Sequence, residues 1–345
     1  MRVVVTGASG NIGTALLRWL AARAEVRETI GIARRMPPVG VGEPYDRATW
    51  RELDVASPEA GGELAEVFGG ADAVVHLAWH IVADHDRGTQ ARTNRVGSEQ
   101  VVAAALRTEV PQLVQLSSAA VYSPRVTDTA APETWQRRGI PGSAYSQDKV
   151  AVEDLLDRAE AEHPGLRVVR IRPPAVLQPA AAGELARLAL GRSAPLARIL
   201  RGRAPVLPLP PQAVTQVVAA EDVADLVGRA VLARAAGAFN VADEPILTPA
   251  ILARLLGGRH LPVSREALRV LVGATWRMRL QPLDPSWVDL LVDTPLLDCT
   301  RARTELGWHP RHDARLRVVA TRRALARGLG TASPRLRPLG GHVGR

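Results

Sequence analysis

Short apolar runs alternate with longer amphipathic stretches through the first half of the chain. The runs are bounded by glycine, proline or charged residues, which is typical of strands buried on both faces of a parallel sheet. Strands are predicted at residues 2–6, 28–33, 71–77, 112–117 and 166–172, and helices at residues 14–24, 90–107 and 145–163. This alternation predicts right-handed βαβ units and therefore an α/β fold, a doubly wound parallel sheet with helices on both faces.

The pattern changes after Pro173, where proline and glycine become frequent. A strand and a helix are predicted again at residues 216–235, and a short strand is predicted at residues 238–241. Residues 249–328 are predicted to be mostly helical. The second half of the chain therefore contains a mostly helical region and one return to the sheet.

These patterns divide the chain into two regions and a tail. The doubly wound domain is predicted to consist of residues 1–175 and 216–245. Residues 176–215 and 246–329 are predicted to form a smaller, mostly helical substrate-binding region over the carboxyl edge of the sheet. Residues 330–345 are rich in proline, glycine and arginine, which predicts a basic, disordered tail.

The positive charge is concentrated near the end of the chain. The chain has 345 residues and a net charge of +9, but residues 301–345 contain eleven arginines against two acidic residues. The main body is therefore neutral, which argues against a nucleic-acid-binding groove there. The single cysteine, Cys299, fits a reducing compartment. No apolar run approaches the roughly 18 residues of a membrane span, so we expect a cytoplasmic protein.

A glycine-rich turn joins the first predicted strand to the first predicted helix. Gly7, Gly10 and Gly13 have the spacing of a dinucleotide-binding turn. The first glycine permits the tight turn, the second the approach of a pyrophosphate, and the third close packing of helix on strand. The helix N-terminus offers unpaired N–H groups to the anion. The turn therefore predicts a Rossmann-type dinucleotide-binding domain.

The second predicted strand ends in Arg34 and Arg35 without an acidic residue. An acidic residue at this point holds the ribose 2′-hydroxyl of NAD, whereas an arginine accommodates the 2′-phosphate of NADP. We therefore expect NADP(H) to be favoured over NAD(H). The alternative is that these two arginines are simply solvated.

Lys149 is the only lysine among 44 basic residues, and it follows Tyr145 by one helical turn. The spacing of four places both side chains on one helix face. The pKa of a free phenol is about 10, and a nearby cation lowers it, so the pair can act as a general acid/base. Ser118 follows a predicted strand and is placed to hydrogen-bond the reacting oxygen. The alternatives are a solvated helix face and a serine that only caps a turn.

Ten segments carry a family resemblance. They are TGASGNIG (6–13), LDV (53–55), HLA (76–78), NRVG (94–97), LSSAAVY (116–122), YSQDK (145–149), RIRPPAV (170–176), AAEDVAD (219–225), AFNVADE (238–244) and ARTELGWHP (302–310). Together they resemble the extended short-chain dehydrogenase/reductase family of the NAD-dependent epimerase/dehydratase type. The resemblance covers the chain to about residue 312 and implies a Rossmann fold.

The resemblance also implies roles for the matching residues. The dinucleotide would be held by Gly7, Gly10, Asn11 and Ile12 at the pyrophosphate, Asp54 and Val55 at the adenine, Leu77 and Ala78 at the ribose–phosphate, and Asn94 and Pro173 at the nicotinamide half. The catalytic residues would be Ser118, Tyr145 and Lys149, with Lys149 holding the nicotinamide ribose and lowering the pKa of Tyr145. Candidate substrate contacts are His80, Ser118 and Tyr122.

Two departures from the family pattern bear on the reaction. The sugar dehydratases carry an Asp-Glu pair after the catalytic Ser/Thr, where this chain has Ala119 and Ala120, so dehydration is disfavoured. The missing acidic residue after the second strand argues against the tightly held NAD of sugar epimerases. The leading hypothesis is an NAD(P)(H)-dependent oxidoreductase acting on a carbonyl or secondary alcohol.

Two alternatives stay open. One is a nucleotide-sugar epimerase with retained NAD, and the other is a dinucleotide-sensing regulatory protein. The expected partner is a small-molecule substrate, with no nucleic acid or membrane for the main body, and a homodimer is left open.

Several histidines and tryptophans also bear on the chemistry. His76, His80 and His85, with two neighbouring aspartates, superficially resemble metal ligands, but no helix face brings them together and no metal site is expected. Trp276 or Trp287 is a candidate for the floor of the substrate pocket.

Overall fold

The computed structural model describes residues 1–81, 87–126, 129–195 and 200–339. The strands are β1 (Arg2–Thr6), β2 (Glu28–Ala33), β3 (Thr49–Glu52), β4 (Ala73–His76), β5 (Gln112–Leu116), β6 (Arg167–Arg172), β7 (Ala175–Leu177), β8 (Val206–Leu209), β9 (Val217–Ala219), β10 (Gly237–Asn240) and β11 (Arg259–Pro262). The α-helices are α1 (Asn11–Ala21), α2 (Ala60–Phe68), α3 (Arg87–Ala91), α4 (Gly97–Arg107), α5 (Ala144–Glu162), α6 (Ala182–Leu190), α7 (Ala220–Leu232), α8 (Pro249–Leu255), α9 (Arg265–Arg277), α10 (Ser286–Asp293), α11 (Thr300–Leu306) and α12 (Ala314–Arg327).

The main sheet confirms the predicted doubly wound α/β fold. Its seven strands lie in the order β10–β6–β5–β4–β1–β2–β3, and each neighbouring pair is parallel. The order reverses between β1 and β4, because β2 and β3 are added on one side of β1 and the later strands on the other. In such sheets the reversal opens a crevice at the carboxyl ends of the strands, where ligands bind.

Side chains of β1 alternate between two apolar cores. Val3 and Val5 pack with α1 and α7 on one face of the sheet, whereas Val4 packs with α2, α4 and α5 on the other. All three valines are fully buried. The strand therefore appears in the sequence as an unbroken apolar run, which is why its bounds are predicted to the residue.

Within the seven-stranded sheet, β3 is the strand that the hydrophobic pattern does not predict. It is an edge strand of sequence TWRE, and three of its four residues are exposed. Trp50 is its main apolar contact, and a Cβ on Gly31 of β2 would lie 2.9 Å from the Trp50 ring. A strand that is buried on so little of its surface carries no apolar run for periodicity to detect.

The helical second region brings two elements to the carboxyl edge of the sheet. Outside the main sheet, β7 pairs with β9 and β8 pairs with β11. Helix α6 follows β7, and α10 packs with α9 and β8 around the buried residues Leu209, Leu268 and Val288. None of the helices in the described ranges is long and apolar enough to cross a membrane. The proposed domain boundaries stay a prediction.

The expected disorder of the tail is wrong for residues 330–339, which we call the C-terminal strap. Ser333 and Leu336 are buried, and the Ser333 hydroxyl donates a hydrogen bond to the Ser9 carbonyl at 2.5 Å. The Tyr45 hydroxyl donates to Thr331 Oγ1 at 2.8 Å. Composition predicted disorder because few apolar residues interrupt the proline, glycine and arginine, but those few are packed against the domain.

Candidate active site

A cavity of about 500 Å³ runs along the carboxyl edge of the sheet, from the end of β2 to the first turns of α5. The β1–α1 turn and the residues after β2, β4 and β5 line one side. Helices α6 and α10 line the other. A cavity of this size at the reversal point of a doubly wound sheet is the expected place for a ligand.

The glycine-rich turn forms the cavity wall at the end of β1. Gly7 has a φ of +70°, and a Cβ there would lie 2.6 Å from the Ala78 nitrogen, so only glycine fits. At Gly13 a Cβ would lie 2.5 Å from the carbonyl oxygen of Ala8. Helix α1 has no side-chain cap at Gly10 and no acidic residue in its first turn. Its N–H groups are thus available to an anion, and the turn fits a dinucleotide pyrophosphate.

The ends of β2 and β3 bring three charged side chains to the cavity. Arg34, Arg35 and Asp54 all line it. Arg34 Nη1 lies 3.8 Å from Asp54 Oδ2, and both side chains are 42% exposed. Asp54 also accepts a hydrogen bond from the Ala56 nitrogen at 3.1 Å. A long ion pair in contact with solvent is weak, so Arg34 is available to a phosphate.

Ser118 and Tyr145 meet between β5 and α5. Ser118 has extended backbone and caps the turn after β5, accepting a hydrogen bond from the Ala120 nitrogen at 3.1 Å. The Tyr145 side chain comes from the first turn of α5 and lies near Ser118, and both residues line the cavity. Burial raises the pKa of Tyr145, and the nearby Ser118 hydroxyl opposes this. Ser118 is therefore both a cap and a neighbour of the tyrosine.

Lys149 lies against an aromatic ring. Its Nζ donates a hydrogen bond to the Leu116 carbonyl at 2.8 Å and sits 3.4 Å from the centre of the Trp79 ring. Burial lowers the pKa of Lys149 to about 7, against the opposing charges of Glu153 and Asp148. The expected lowering of the Tyr145 pKa by Lys149 is not found in this structure, because the ammonium faces the indole and a carbonyl.

Aromatic and aliphatic side chains surround the Tyr145 ring. Trp79 meets it edge-on with ring centres 6.3 Å apart, and Trp287 of α10 lies 5.7 Å away at 31°. Leu290 belongs to the same apolar cluster. Trp287 therefore borders the cavity, whereas Trp276 lines a separate depression.

A second polar cluster lies behind the cavity, and we call it the rear network. Its members are Ser117, Tyr122, Glu153, Arg172 and Asn240, all buried. The Ser117 hydroxyl donates to Glu153, which also accepts hydrogen bonds from Arg172 Nε at 3.0 Å and Nη2 at 2.5 Å. Arg172 Nη1 donates to the Tyr122 hydroxyl at 2.9 Å, and that hydroxyl donates to Asn240 at 2.7 Å.

The rear network corrects the expectation for Tyr122. Its ring is fully buried and its hydroxyl is bonded to Arg172 and Asn240, so it does not border the cavity and is not placed to contact a substrate. The sequence signal was its position four residues after Ser118. Only the fold shows that the chain has turned inward by that residue.

Asn94 and His80 also differ from their expected roles. The Asn94 amide accepts a hydrogen bond from the His80 nitrogen at 2.8 Å and donates to the His80 carbonyl at 3.2 Å. The flanking residues Trp79 and Ile81 line the cavity, but Asn94 and His80 do not. Asn94 therefore positions the segment that carries Trp79. Trp79 itself was missed, although a tryptophan three residues after β4 in an aromatic-poor chain was a usable signal.

The remaining predicted cofactor residues border the cavity. They are Gly7, Gly10, Asn11, Ile12, Val55, Leu77, Ala78 and Pro173. The Asn11 amide also donates to the Val176 carbonyl at 3.2 Å, which ties α1 to β7.

His76 is a buried structural residue. Its Nδ1 lies 2.6 Å from Thr6 Oγ1 and its Nε2 lies 3.1 Å from Ser98 Oγ. Burial and the charge of Lys149 lower its pKa to about 3, so it is neutral at physiological pH. His85 and its neighbouring aspartates lie outside the described residues. Within the described residues, no three His, Cys, Asp or Glu side chains form a group that could hold a metal ion.

Solved structures show the same fold. The Thermus thermophilus UDP-glucose 4-epimerase, in complex with NAD, superposes with a TM-score of 0.69 and 21% identity, covering 95% of this chain and 99% of that one. The Thermotoga maritima UDP-glucose 4-epimerase, with UDP-glucose, also gives 0.69, at 20% identity over 95% of this chain and 99% of that one. The fold and the glycine-rich turn define a Rossmann-type protein.

Sequence comparison gives the family. Residues 3–242 match the model of the NAD-dependent epimerase/dehydratase family, and the chain belongs to that family. An uncharacterized Mycobacterium tuberculosis protein is 25% identical over 314 residues, covering 90% of this chain and 80% of its own length. The L-arabinose 1-dehydrogenase (NAD(P)+) of Haloferax volcanii is 31% identical over 181 residues, covering 50% of this chain and 65% of its own.

Proposed function

We propose that this protein is an NAD(P)(H)-dependent oxidoreductase that interconverts a carbonyl compound and a secondary alcohol. The observation that carries the proposal is the placement of Ser118 near Tyr145 in the cavity lining, with Lys149 one helical turn further on. All three residues line the cavity that the glycine-rich turn also lines. A proton donor for a carbonyl oxygen and a binding site for a dinucleotide thus share one enclosure.

Each member of the triad has a distinct task. When bound, the dinucleotide supplies or accepts the hydride at its nicotinamide. Tyr145 gives its phenolic proton to the carbonyl oxygen in reduction, and Ser118 holds the same oxygen by a hydrogen bond. Lys149 binds a ribose hydroxyl through its ammonium. Burial raises the pKa of Tyr145, so the phenol carries its proton at neutral pH, which supports the reductive direction.

The end of β2 supports NADP(H) over NAD(H). Arg34 and Arg35 line the cavity, and among the described residues the ion pair that Arg34 would give up is the long one with Asp54. A guanidinium suits a 2′-phosphate because its planar fork binds two phosphate oxygens at once.

The walls near Tyr145 support an apolar substrate. They are formed by Trp79, Ile81, Trp287 and Leu290. The diphosphate of a nucleotide sugar needs cationic partners, and the cavity-lining cations other than Lys149, among the described residues, are Arg34, Arg35 and Arg335. We assign these arginines to the dinucleotide. The carbonyl substrate is then a hydrophobic ketone or aldehyde.

Relatives support both this reaction and one alternative. Beside the arabinose dehydrogenase, a Stigmatella aurantiaca protein named as the ketoreductase of a farnesylated dihydroquinoline oxide is 28% identical over 177 residues, which cover 50% of this chain and 49% of its own length. The epimerase structures favour a sugar epimerase with retained NAD as the second candidate.

Binding and turnover separate the two reactions. Thermal melting with NAD, NADH, NADP and NADPH should give the largest stabilisation with the NADP pair, because ligand bound to the native state raises stability by mass action. NADPH oxidation should then depend on an added hydrophobic ketone. Protein that is purified with bound NAD and epimerises UDP-glucose without added cofactor would overturn the proposal.

A further inference from the structure

The C-terminal strap brings a third arginine to the dinucleotide end of the cavity. Arg335 lines the same cavity as Arg34 and Arg35, although 300 residues separate it from Arg35. Its side chain is 25% exposed, and its Nε is bonded to the Glu184 carboxylate on α6. Neither Nη1 nor Nη2 has a partner among the residues that the structure describes, so both can bind a further anion.

The strap is held directly against the glycine-rich turn. The buried Ser333 hydroxyl donates to the carbonyl of Ser9, which lies between Gly7 and Gly10. Two residues further on, Arg335 is therefore next to the place where the turn would hold a pyrophosphate. The strap also packs closely on α6, since a Cβ on Gly183 would lie 3.3 Å from the Arg337 carbonyl oxygen.

The charge around Arg335 is unbalanced. Arg187 donates hydrogen bonds from Nη2 to the carbonyls of Arg335 and Arg337, at 3.2 and 3.3 Å. Among the described residues, the carboxylate that acts on both guanidinium groups is that of Glu184, which is paired with Arg335 and is electrostatically coupled to Arg187. A cluster with one positive charge in excess, beside a cavity, attracts an anion.

We propose that Arg335 binds a phosphate group of the dinucleotide, so that the C-terminal strap is part of the cofactor site. This inference rests on the proposed dinucleotide-dependent function. The phosphate is either that of the pyrophosphate or the 2′-phosphate of NADP. Both groups present phosphate oxygens to a guanidinium. A comparison of NADH binding with NADPH binding distinguishes them.

The test compares two arginines of the strap in the full-length protein. Arg335→Ala removes the proposed contact, and Arg337→Ala removes the same charge from an exposed side chain of the same segment. By calorimetric titration, Arg335→Ala should weaken NADPH binding about ten-fold or more, the loss expected for a hydrogen bond to a charged group. Arg337→Ala should stay within about two-fold, and Arg335→Lys should fall between.

The pattern of losses identifies the phosphate. Equal losses for NADH and NADPH assign the pyrophosphate, and a loss for NADPH alone assigns the 2′-phosphate. NADPH should also slow hydrogen exchange at the Thr331 and Leu336 amides, which bond within the strap. If wild type binds NADPH and Arg335→Ala binds it equally well, the inference fails while the proposed function stands. If wild type binds neither cofactor, the proposed function fails as well.

Discussion

Ser117 and Ser118 follow each other in the chain, yet their hydroxyls belong to two different kinds of polar cluster. Ser117 joins the rear network, where the Glu153 carboxylate is matched by the Arg172 guanidinium. Ser118 joins Tyr145 at the cavity. Near it, Lys149 is buried without an ion pair to any carboxylate in the described part of the chain. The rear network pairs its carboxylate with a guanidinium. The group at the cavity contains an ammonium, that of Lys149, without a paired carboxylate among the described residues.

Helix α5 supplies both clusters from neighbouring turns. Lys149 and Glu153 are four residues apart, and both are buried. Burial alone would raise the pKa of Glu153, but its bonds to Arg172 hold it below the usual value. The charges of Glu153 and Asp148 offset the burial of Lys149 only in part, and its pKa falls to about 7. We infer that the balanced cluster stabilises the fold and that the unbalanced one is kept for chemistry, at a cost in stability.

Two tyrosines test this division, and the largest effect is expected at Tyr145. Tyr145→Phe removes the proposed proton donor, so turnover should fall roughly 100- to 10,000-fold, the usual contribution of a general acid. NADPH affinity should change little. The matched variant is Tyr122→Phe, which removes a hydroxyl from the rear network. It should keep turnover near the wild-type value but lower the free energy of unfolding by about 1–3 kcal/mol.

Steady-state kinetics and urea denaturation on both variants give the readout. The division would be wrong if Tyr122→Phe lost activity as strongly as Tyr145→Phe while remaining folded. It would be equally wrong if Tyr145→Phe retained full turnover.

The next effect tests the balance within the rear network. Glu153→Gln leaves the Arg172 guanidinium buried without its counter-charge, so the free energy of unfolding should fall by about 3–5 kcal/mol. Asp154→Asn makes the same change one residue along, at a 50% exposed side chain that pairs with Arg137. That variant should stay within about 0.5 kcal/mol of wild type. Equal losses in the two variants, measured by urea denaturation, would contradict a balanced pair.

The sequence predicts the local features of this fold better than it predicts contacts between distant segments. Strands β1 and β2 are predicted to the residue because burial on both faces gives each an apolar run, at residues 3–5 in β1 and 30–33 in β2. The glycine-rich turn and the pair Tyr145–Lys149 are equally visible, because their geometry depends on spacings of three and four residues. The sequence therefore predicts those features whose geometry is set by the spacing of neighbouring residues.

Contacts between distant segments explain what was missed. The bond from Ser333 to Ser9 joins residues 324 positions apart, and nothing in the composition of the strap indicates it. Likewise the contact of Trp79 with Lys149 depends on how β4 and β5 are paired. Periodicity describes one element at a time, so the aromatic wall and the strap become visible only in the folded chain.

The smallest expected effect is the change in the free energy of unfolding when the buried ammonium of Lys149 is removed. Lys149→Met replaces a buried ammonium with an apolar chain of similar length, and the free energy of unfolding at pH 7 should rise by about 1–2 kcal/mol although turnover is lost. The native pKa of about 7 lies below the unfolded value of 10.5. Between these values the unfolded state binds more protons, so wild-type stability rises with pH. The advantage of Lys149→Met should therefore shrink from pH 7 to pH 9.

An exposed arginine on the same helix is the control for that measurement. Arg158→Met removes one positive charge from α5 at the surface, and it should change the free energy of unfolding by less than about 0.5 kcal/mol at either pH. Urea denaturation of the three proteins at pH 7 and pH 9 decides the matter. A Lys149→Met variant less stable than wild type at pH 7 would mean that the bond to the Leu116 carbonyl and the contact with Trp79 more than offset the burial of the charge. Lys149 would then belong with the residues that hold the fold together.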